Sequence, residues 1–246
     1  MKINIISSDL PGEKLASAPR YQRTVEAMQI LKTLLNGEHL NHQGEFWKLD
    51  VDPAGVKTFS GKAPPLYFGG LSPDARDAAA RACDVYLMWP DTKEKVAEII
   101  ADMTKRAADY GRTLRFGYRA HIIVRDTETE ARAYADRLLS KLDAEEGAQI
   151  RAKSLDATSM GVAAQAALRE GASDDGYAEE NLWTGVGRAR SGCGAAIVGD
   201  PDQVLAKLQM YRDMGIDAFI LSGYPHAAEA DLFARHVLPR IDHAPL

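Results

Sequence analysis

The sequence predicts an α/β fold with a parallel sheet, and three observations carry that expectation. Short apolar runs near residues 2, 65, 84, 116 and 217 are each followed by a helix-length amphipathic stretch. Gly37, Gly111 and Gly215 stand where three of those helices must stop, at positions that favour a residue tolerant of positive φ. The strand ends run into turn and cap chemistry, as in Gly69-Gly70-Leu71-Ser72-Pro73 and Ser222-Gly223-Tyr224-Pro225-His226. About five βα units result. A chain of 246 residues has the length of an eight-unit barrel of ~250 residues. Residues 147–195, rich in Ala, Gly and Ser, take up the missing units as an insertion over the site, with helical pieces near Ala157 to Glu170 and no strand.

Taken in order, Lys2-Ile-Asn-Ile-Ile6 reads as a first strand ending at Ser7-Ser8-Asp9. A helix over Ala18–Leu35 follows, with Val25, Met28, Ile30, Leu31 and Leu34 on its apolar face. His39 to Asp50 alternates around Asn41-His-Gln-Gly44 and reads as a hairpin whose His39 and His42 are solvated, and residues 51–63 are loop. Pro65–Phe68 is a strand, and Ser72-Pro73 opens a helix running to about Ala82. Ser72 therefore stands as an N-cap beside free backbone N–H groups, an arrangement that also binds phosphate. Val85–Met88 is the next strand, with a helix from Thr92 to about Tyr110.

Phe116–Val124 is a strand whose period of two puts Arg119 and His121 on one face. Two charged or polar side chains there require a cavity, partners or an edge facing water. A helix from Thr127 to about Ala144 continues the alternation. Asp200-Pro201 with Gln203 is a helix start, and Val204, Leu208 and Tyr211 recur at helical spacing. Ala218–Leu221 is a continuous apolar run, expected to be buried on both faces. Chemistry in such folds sits at the carboxyl ends of strands, which points to Ser222–His226. Upstream, Gly185–Gly194 mixes glycine with arginine and reads as a mobile cationic loop rather than core, suited to gating an anion. Its Gly-x-Gly-x-x-Arg lacks the third glycine and the preceding strand of a dinucleotide fingerprint.

Composition narrows the class further. At 46% hydrophobic and net charge −5 the chain is an ordinary globular sequence without the basic stripe of a nucleic-acid binder. No apolar run approaches the ~20 residues of a membrane span. Cys83 and Cys193 have no CxxC or metal-ligand spacing, so no metal and a reduced, cytoplasmic setting are expected.

The stretch NLWTGVGRARSGCGAAIVGDPDQV, followed by FILSGYPH, resembles the C-terminal signature of the alkanesulfonate monooxygenases, flavin-dependent enzymes of the bacterial luciferase-like superfamily. The resemblance covers essentially the whole chain as a single domain and implies an N-terminally truncated TIM barrel with a long insertion before the last strand. It implies a chain that opens at the family's fourth strand, without the units that bring a histidine and a cysteine near the substrate. By position, Ser7 matches a flavin contact, and Tyr21 and Ser72 match residues that hold the flavin phosphate. Arg119 and His121 match the pair lining the substrate and flavin cavity, Arg190 the loop arginine that closes over it, and Tyr224 the tyrosine near the reacting oxygen. Arg188 and Cys193 depart from the apolar or alanine residues commoner there.

The implied activity takes reduced FMN (FMNH2) and O2 to an organosulfonate, releasing sulfite and an aldehyde. With no nicotinamide fingerprint, reduced flavin is expected from a separate NAD(P)H-dependent flavin reductase. Arginines suit a sulfonate as multidentate anion receptors. A non-catalytic flavin-binding remnant, an internal-start fragment and an oxygenase for another small substrate stand beside this reading. Apolar Ile3, Ile5 and Ile6 at the first strand lead to the expectation of a homo-oligomer or a poorly soluble chain without appreciable turnover.

Overall fold

A computed structural model of the chain describes residues 1–7, 15–55, 58–153 and 159–244. They fall into two compact units, Met1–Leu87 with Ala101–Arg115, and Met88–Ile100 with Phe116–Leu246.

In the first unit β1 (Ile3–Asn4), β4 (Leu66–Phe68) and β5 (Val85–Met88) lie parallel in that order, with Ile3 opposite Leu66 and Tyr67 opposite Val85. α1 (Ser17–Leu35), the antiparallel hairpin β2 (Leu40–Gln43) with β3 (Lys48–Val51), and α2 (Pro73–Ala82) complete it with part of α3 (Lys93–Asp109). β4 is buried along its whole length, as the apolar run predicts for a parallel strand. β1 is shorter than the expected Lys2–Ile6. Beyond Asn4 only the Ile5 N–H reaches Tyr67 O, at 2.8 Å, and Ile6 is 75% exposed. Ser8 and Asp9, where that strand was expected to end, lie outside the described residues, as does Ala157.

α1 buries Val25 and Met28 but leaves Leu31 at the surface. On its inner side it also buries Glu26, 2% exposed, because that carboxylate organises the hairpin. It accepts the backbone N–H groups of Glu45 (2.9 Å), Phe46 (3.1 Å) and Trp47 (3.3 Å), with His42 Nε2 at 3.2 Å. Burial opposes its ionisation, but the bonds from His42 and the three N–H groups hold the carboxyl below the usual range. His42 is therefore a partner of a buried carboxylate and not merely solvated. Exposed His39 lies 2.8 Å from both Asp50 and Asp52.

The second unit is built on β6 (Arg115–Val124). The chain continues through α4 (Glu128–Leu139), α5 (Ala144–Ala152), α6 (Met160–Glu170), β7 (Tyr177–Glu179), β8 (Leu182–Trp183), α7 (Val186–Ala189), β9 (Ala196–Gly199), α8 (Pro201–Asp213), β10 (Ile216–Ser222) and α9 (His226–His236). β10 and β9 both pair parallel with β6, while β8 and β7 add antiparallel to β9. Asp200 and Gln203 form the expected reciprocal cap of α8, at 2.9 and 3.0 Å, and Val204, Leu208 and Tyr211 are buried.

Four expectations are corrected here. β9 is a sixth parallel strand, beyond the five anticipated; its four residues, Ala196–Gly199, give little periodicity to read. Residues 147–195 contain two strands, β7 and β8. The helix expected to reach Ala144 stops at Leu139, because Asp143 caps a new one by accepting the Glu146 N–H at 2.8 Å. β10 is not buried on both faces: among the described residues it pairs only with β6, and Ile220 is 39% exposed.

The loop Gly185–Gly194 is also largely core, and a buried strand, β8, does precede it. Its glycines permit this. Gly187 N–H bonds Gly194 O at 2.8 Å, and a Cβ on Gly194 would lie 3.1 Å from Gly187 Cα. Only Arg188, Ala189, Arg190 and Ser191 of the stretch reach the surface.

Gly44 explains why the hairpin fits, since a Cβ there would stand 2.1 Å from Glu26 Oε2. Gly44→Ala should destabilise by about 2 kcal/mol, and Glu26→Ala by about 3 kcal/mol through loss of charge-assisted bonds. In the Glu26→Ala background Gly44→Ala should cost less, because the carboxylate is gone and His42, whose Nε2 would stand 2.4 Å from that Cβ, no longer has the partner that holds it there. Urea denaturation of the four proteins checks this, and additive losses would show that Gly44 is constrained by something else.

Candidate active site

The carboxyl ends of β6 and β10 hold the densest set of candidate groups in the second unit. Parallel register places Ser222 opposite His121, and Ser222 Oγ lies 3.0 Å from His121 Nδ1. The turn after β10 lays the Tyr224 ring 5.2 Å from the His121 ring, with His226 5.0 Å beyond. Arg190 Nη1 donates to the Tyr224 hydroxyl at 2.7 Å, and its Nε donates to Ser191 O at 3.1 Å. Arg119, His121, Arg190 and Tyr224, all expected at the site, are thus gathered within one unit.

The turn is fixed from behind. A Cβ on Gly223 would lie 2.4 Å from Glu229 Cβ, so only glycine lets α9 come this close. Glu229 forms a two-pronged ion pair with Arg125, at 2.7 and 3.0 Å. The Arg125 guanidinium lies 3.6 Å from the centre of the Tyr134 ring, and the Tyr134 hydroxyl donates to Tyr224 O at 2.9 Å.

His121 is 2% exposed and, among the described residues, its Nε2 has no hydrogen-bond partner. Burial, with Arg190 and then Arg119 nearby, lowers its pKa to about 4, so the imidazole is neutral at ordinary pH. A neutral ring bound at Nδ1 presents Nε2 as a donor or an acceptor, according to which way the Ser222 hydrogen points. Cys193 beside it is no nucleophile: burial pushes its thiol up to about 11, and Sγ–H donates to Arg119 O at 3.3 Å.

Two neighbours escape the sequence reading. Trp89 follows β5 and lies against Gly161 and Gly192, where added Cβ atoms would come within 3.1 and 3.6 Å of its ring. Gln165 donates to Pro90 O at 2.6 Å and accepts the Gly194 N–H at 2.9 Å. Trp89 could have been found by the strand-end rule used for Tyr224, while Gln165 lies mid-helix without any local signal.

The candidate flavin contacts belong to the first unit. Ser72 caps α2, accepting the Ala75 N–H at 3.2 Å and keeping its own hydrogen free to donate. Tyr21 comes close to this turn, its hydroxyl 3.9 Å from where a Gly70 Cβ would stand. Ser7 Oγ accepts from Thr24, one helical turn from Tyr21, at 2.9 Å. A cavity of about 350 Å3 beside Tyr21 is lined by Glu45, Asp74, Asp77 and Arg81, a net negative wall unsuited to phosphate. Among the described residues no cluster of three His, Cys, Asp or Glu could hold a metal, and no helix is long and apolar enough to cross a membrane.

The family model described as luciferase-like monooxygenase matches residues 10–218. A sulfoquinovose monooxygenase of Novosphingobium aromaticivorans is 69% identical over 246 residues, covering 100% of this chain and 68% of the relative. One from Agrobacterium fabrum is 52% identical over 244 residues, covering 98% of this chain and 63% of the relative. The chain thus spans about two thirds of the length of these relatives. The crystal structure of DmoA from Hyphomicrobium sulfonivorans matches with a TM-score of 0.70 at 19% identity, over 96% of this chain and 60% of that one. EDTA monooxygenase (EmoA) from Chelativorans sp. BNC1 gives 0.69 at 19%, over 94% and 61%. At such identities the structural likeness establishes the fold, in agreement with the α/β barrel class expected from sequence.

The buried neutral His121 makes stability pH-dependent in a defined window. Its folded pKa of about 4 lies below the ordinary histidine value of 6.5, so the unfolded chain takes up the proton first as pH falls. This contribution is complete above pH 6.5 and is lost progressively down to pH 4, by up to about 3 kcal/mol. Urea unfolding at pH 7 and pH 4.5 should show that loss, and His121→Gln should remove most of it. An equal pH dependence in His121→Gln would place the titrating group elsewhere.

Proposed function

The chain belongs to the luciferase-like monooxygenase family, and from that premise we propose that it serves a flavin-dependent oxygenation that releases sulfite from an organosulfonate. The substrate we propose is sulfoquinovose rather than a simple alkanesulfonate, after the two sulfoquinovose monooxygenases that resemble it most of its length. The departures at Arg188 and Cys193 from the alkanesulfonate pattern agree with that change of substrate. In the net reaction the carbon–sulfur bond breaks and sulfite departs, one oxygen atom of O2 becomes the carbonyl oxygen on that carbon, and the other leaves as water, with reduced flavin giving up two electrons and two protons to become oxidised flavin.

The observation that carries the reading is the Arg190–Tyr224 bond set against a neutral, open-ended His121 at the ends of two paired strands. Arg190 and Arg119 supply fixed positive charge for a sulfonate and for anionic oxygen as it develops. Because Arg190 donates to the Tyr224 oxygen, the phenol hydrogen remains available to a bound group. His121 Nε2 offers one further hydrogen-bonding or proton-accepting atom without bringing a competing charge.

Reduced FMN, when bound, supplies with O2 the oxidising chemistry. The first unit fits its phosphate end. A Cβ on Gly69 would meet Leu87 O at 1.9 Å, and one on Gly70 would meet Ala75 Cβ at 2.7 Å, so glycine at both positions lets the turn before α2 pack closely and set Ser72 at the helix start. Ser72 and Tyr21 would hold the phosphate there and Ser7 would meet the flavin. Delivery of reduced flavin by a separate NAD(P)H-dependent reductase, cytoplasmic location and self-association belong to the same proposal.

Ser72→Ala should weaken FMN binding by about 1 kcal/mol, roughly fivefold, in a fluorescence titration; an unchanged affinity would remove the phosphate assignment. Sulfite release should be assayed with a flavin reductase, both for this chain and for a chimera carrying the preceding portion of the Novosphingobium relative. Sulfoquinovose should outperform octanesulfonate, and Arg190→Ala and Tyr224→Phe should each lower turnover by about 100-fold or more. Full activity in Tyr224→Phe would overturn the assigned role.

A further inference from the structure

A second cationic feature lies behind the loop that carries Arg190. α5, α6 and α7 enclose a cavity of about 190 Å3, lined by Arg151, Arg169 and Arg190 together with Gln165, Gly187 and Gly192. That is below the roughly 300–1,000 Å3 of pockets for drug-sized ligands, which excludes a flavin ring and suits a small ion.

The three guanidiniums are held by carbonyl and hydroxyl oxygens, none of which carries charge. Arg151 donates to Arg188 O, Arg169 Nη1 donates to Gly187 O at 3.1 Å, and Arg190 is engaged with Tyr224 and Ser191. A guanidinium has five N–H donors, so most remain uncommitted by these bonds. The arginine ion pairs among the described residues involve other positions, such as Arg76, Arg125, Arg132 and Arg240. Burial, then repulsion from Arg151 and Arg188, depresses the pKa of Arg169 against the opposing pull of Glu170. Among the described residues none of these three arginines forms an ion pair, and like charges gathered with so little compensation favour an anion joining them. Arginine forks match tetrahedral oxyanions in geometry as well as charge.

We propose that this cavity is an oxyanion site, distinct from the reacting centre, in which Arg151, Arg169 and Arg190 receive a tetrahedral group: sulfite, an organic sulfonate head or a phosphate. Arg190 is the shared member, so an anion in the cavity competes with Tyr224 for its donors. Occupancy thereby couples the insertion to the site at the ends of β6 and β10. The inference goes beyond the proposed reaction and does not require it.

Isothermal titration at constant ionic strength, on the chain without flavin, uses inorganic sulfate, inorganic phosphate and methanesulfonate as probes. The expected result is saturable binding that weakens tenfold or more in Arg151→Gln and in Arg169→Gln. Preference for sulfate points to the released inorganic ion, for methanesulfonate to the substrate head, and for phosphate to a cofactor or metabolite phosphate. No saturable binding, or equal affinity in wild type and both variants, overturns the proposal. On the unaltered chain, sulfate should slow phenylglyoxal modification of Arg151 and Arg169 by several-fold relative to exposed Arg235; unprotected arginines would overturn it even if a variant failed to fold. No flavin, oxygen or turnover enters these measurements, so their failure leaves the reading of His121 and Tyr224 untouched.

Discussion

The Arg125–Glu229 pair is the constraint on which the candidate site depends. Glu229 is 1% exposed and is met by two N–H groups of one guanidinium. Such a pair adds little net stability over an apolar substitute, but stranding one partner costs about 3–5 kcal/mol. Its structural effect is to fix where α9 begins. Gly223 closes onto Glu229, Tyr134 lies on Arg125 and bonds Tyr224 O, and the Tyr224 ring is thereby set beside His121. The geometry at the strand ends thus follows from a charge pair outside it, between residues 104 positions apart.

The site itself divides its electrostatics unequally. Arg119 and Arg190 carry permanent charge, while burial and those same cations keep His121 neutral. A second cation at that position would attract an anionic substrate but could not accept a proton. A neutral ring does both tasks of orientation and proton exchange without raising the local charge further. Cys193, buried and protonated, contributes a hydrogen bond to the β6 backbone at Arg119, two residues before His121.

What could be read from the amino-acid sequence was local. Ser72-Pro73, Asp200-Pro201 with Gln203, and the stop glycines Gly37, Gly111 and Gly215 encode their own geometry, and the elements they bound appear where expected. Features made by distant partners were not legible. Glu26 looks like a surface residue until the hairpin N–H groups arrive, and β9 is too short for its period to show. Glycines misled in one place, because Gly185–Gly194 reads as a loose loop although their missing side chains let backbones pack. Of the site residues, only the Arg119 and His121 pairing and the strand-end position of Tyr224 follow from periodicity. Arg190 came from the family resemblance, and its contact with Tyr224 spans 34 residues of chain.

That contact also links α5 and α6 to the strand-end cluster through Arg190. α5 and α6 reach α7 through Arg151 and Arg169, each bonded to a carbonyl of the turn that precedes Arg190. Gly147 allows the approach, since a Cβ there would stand 2.5 Å from Arg188 O. On the other side, Gln165 holds Gly194, and the Gly187–Gly194 bond closes the loop. Arg190 is therefore positioned by backbone bonds on both flanks, while its long side chain alone spans to Tyr224. A loop secured at its base with one free arm needs no large opening to change the charge at the site. Rotation of a single side chain is enough, at far lower cost than unfolding the buried glycine contacts beneath it.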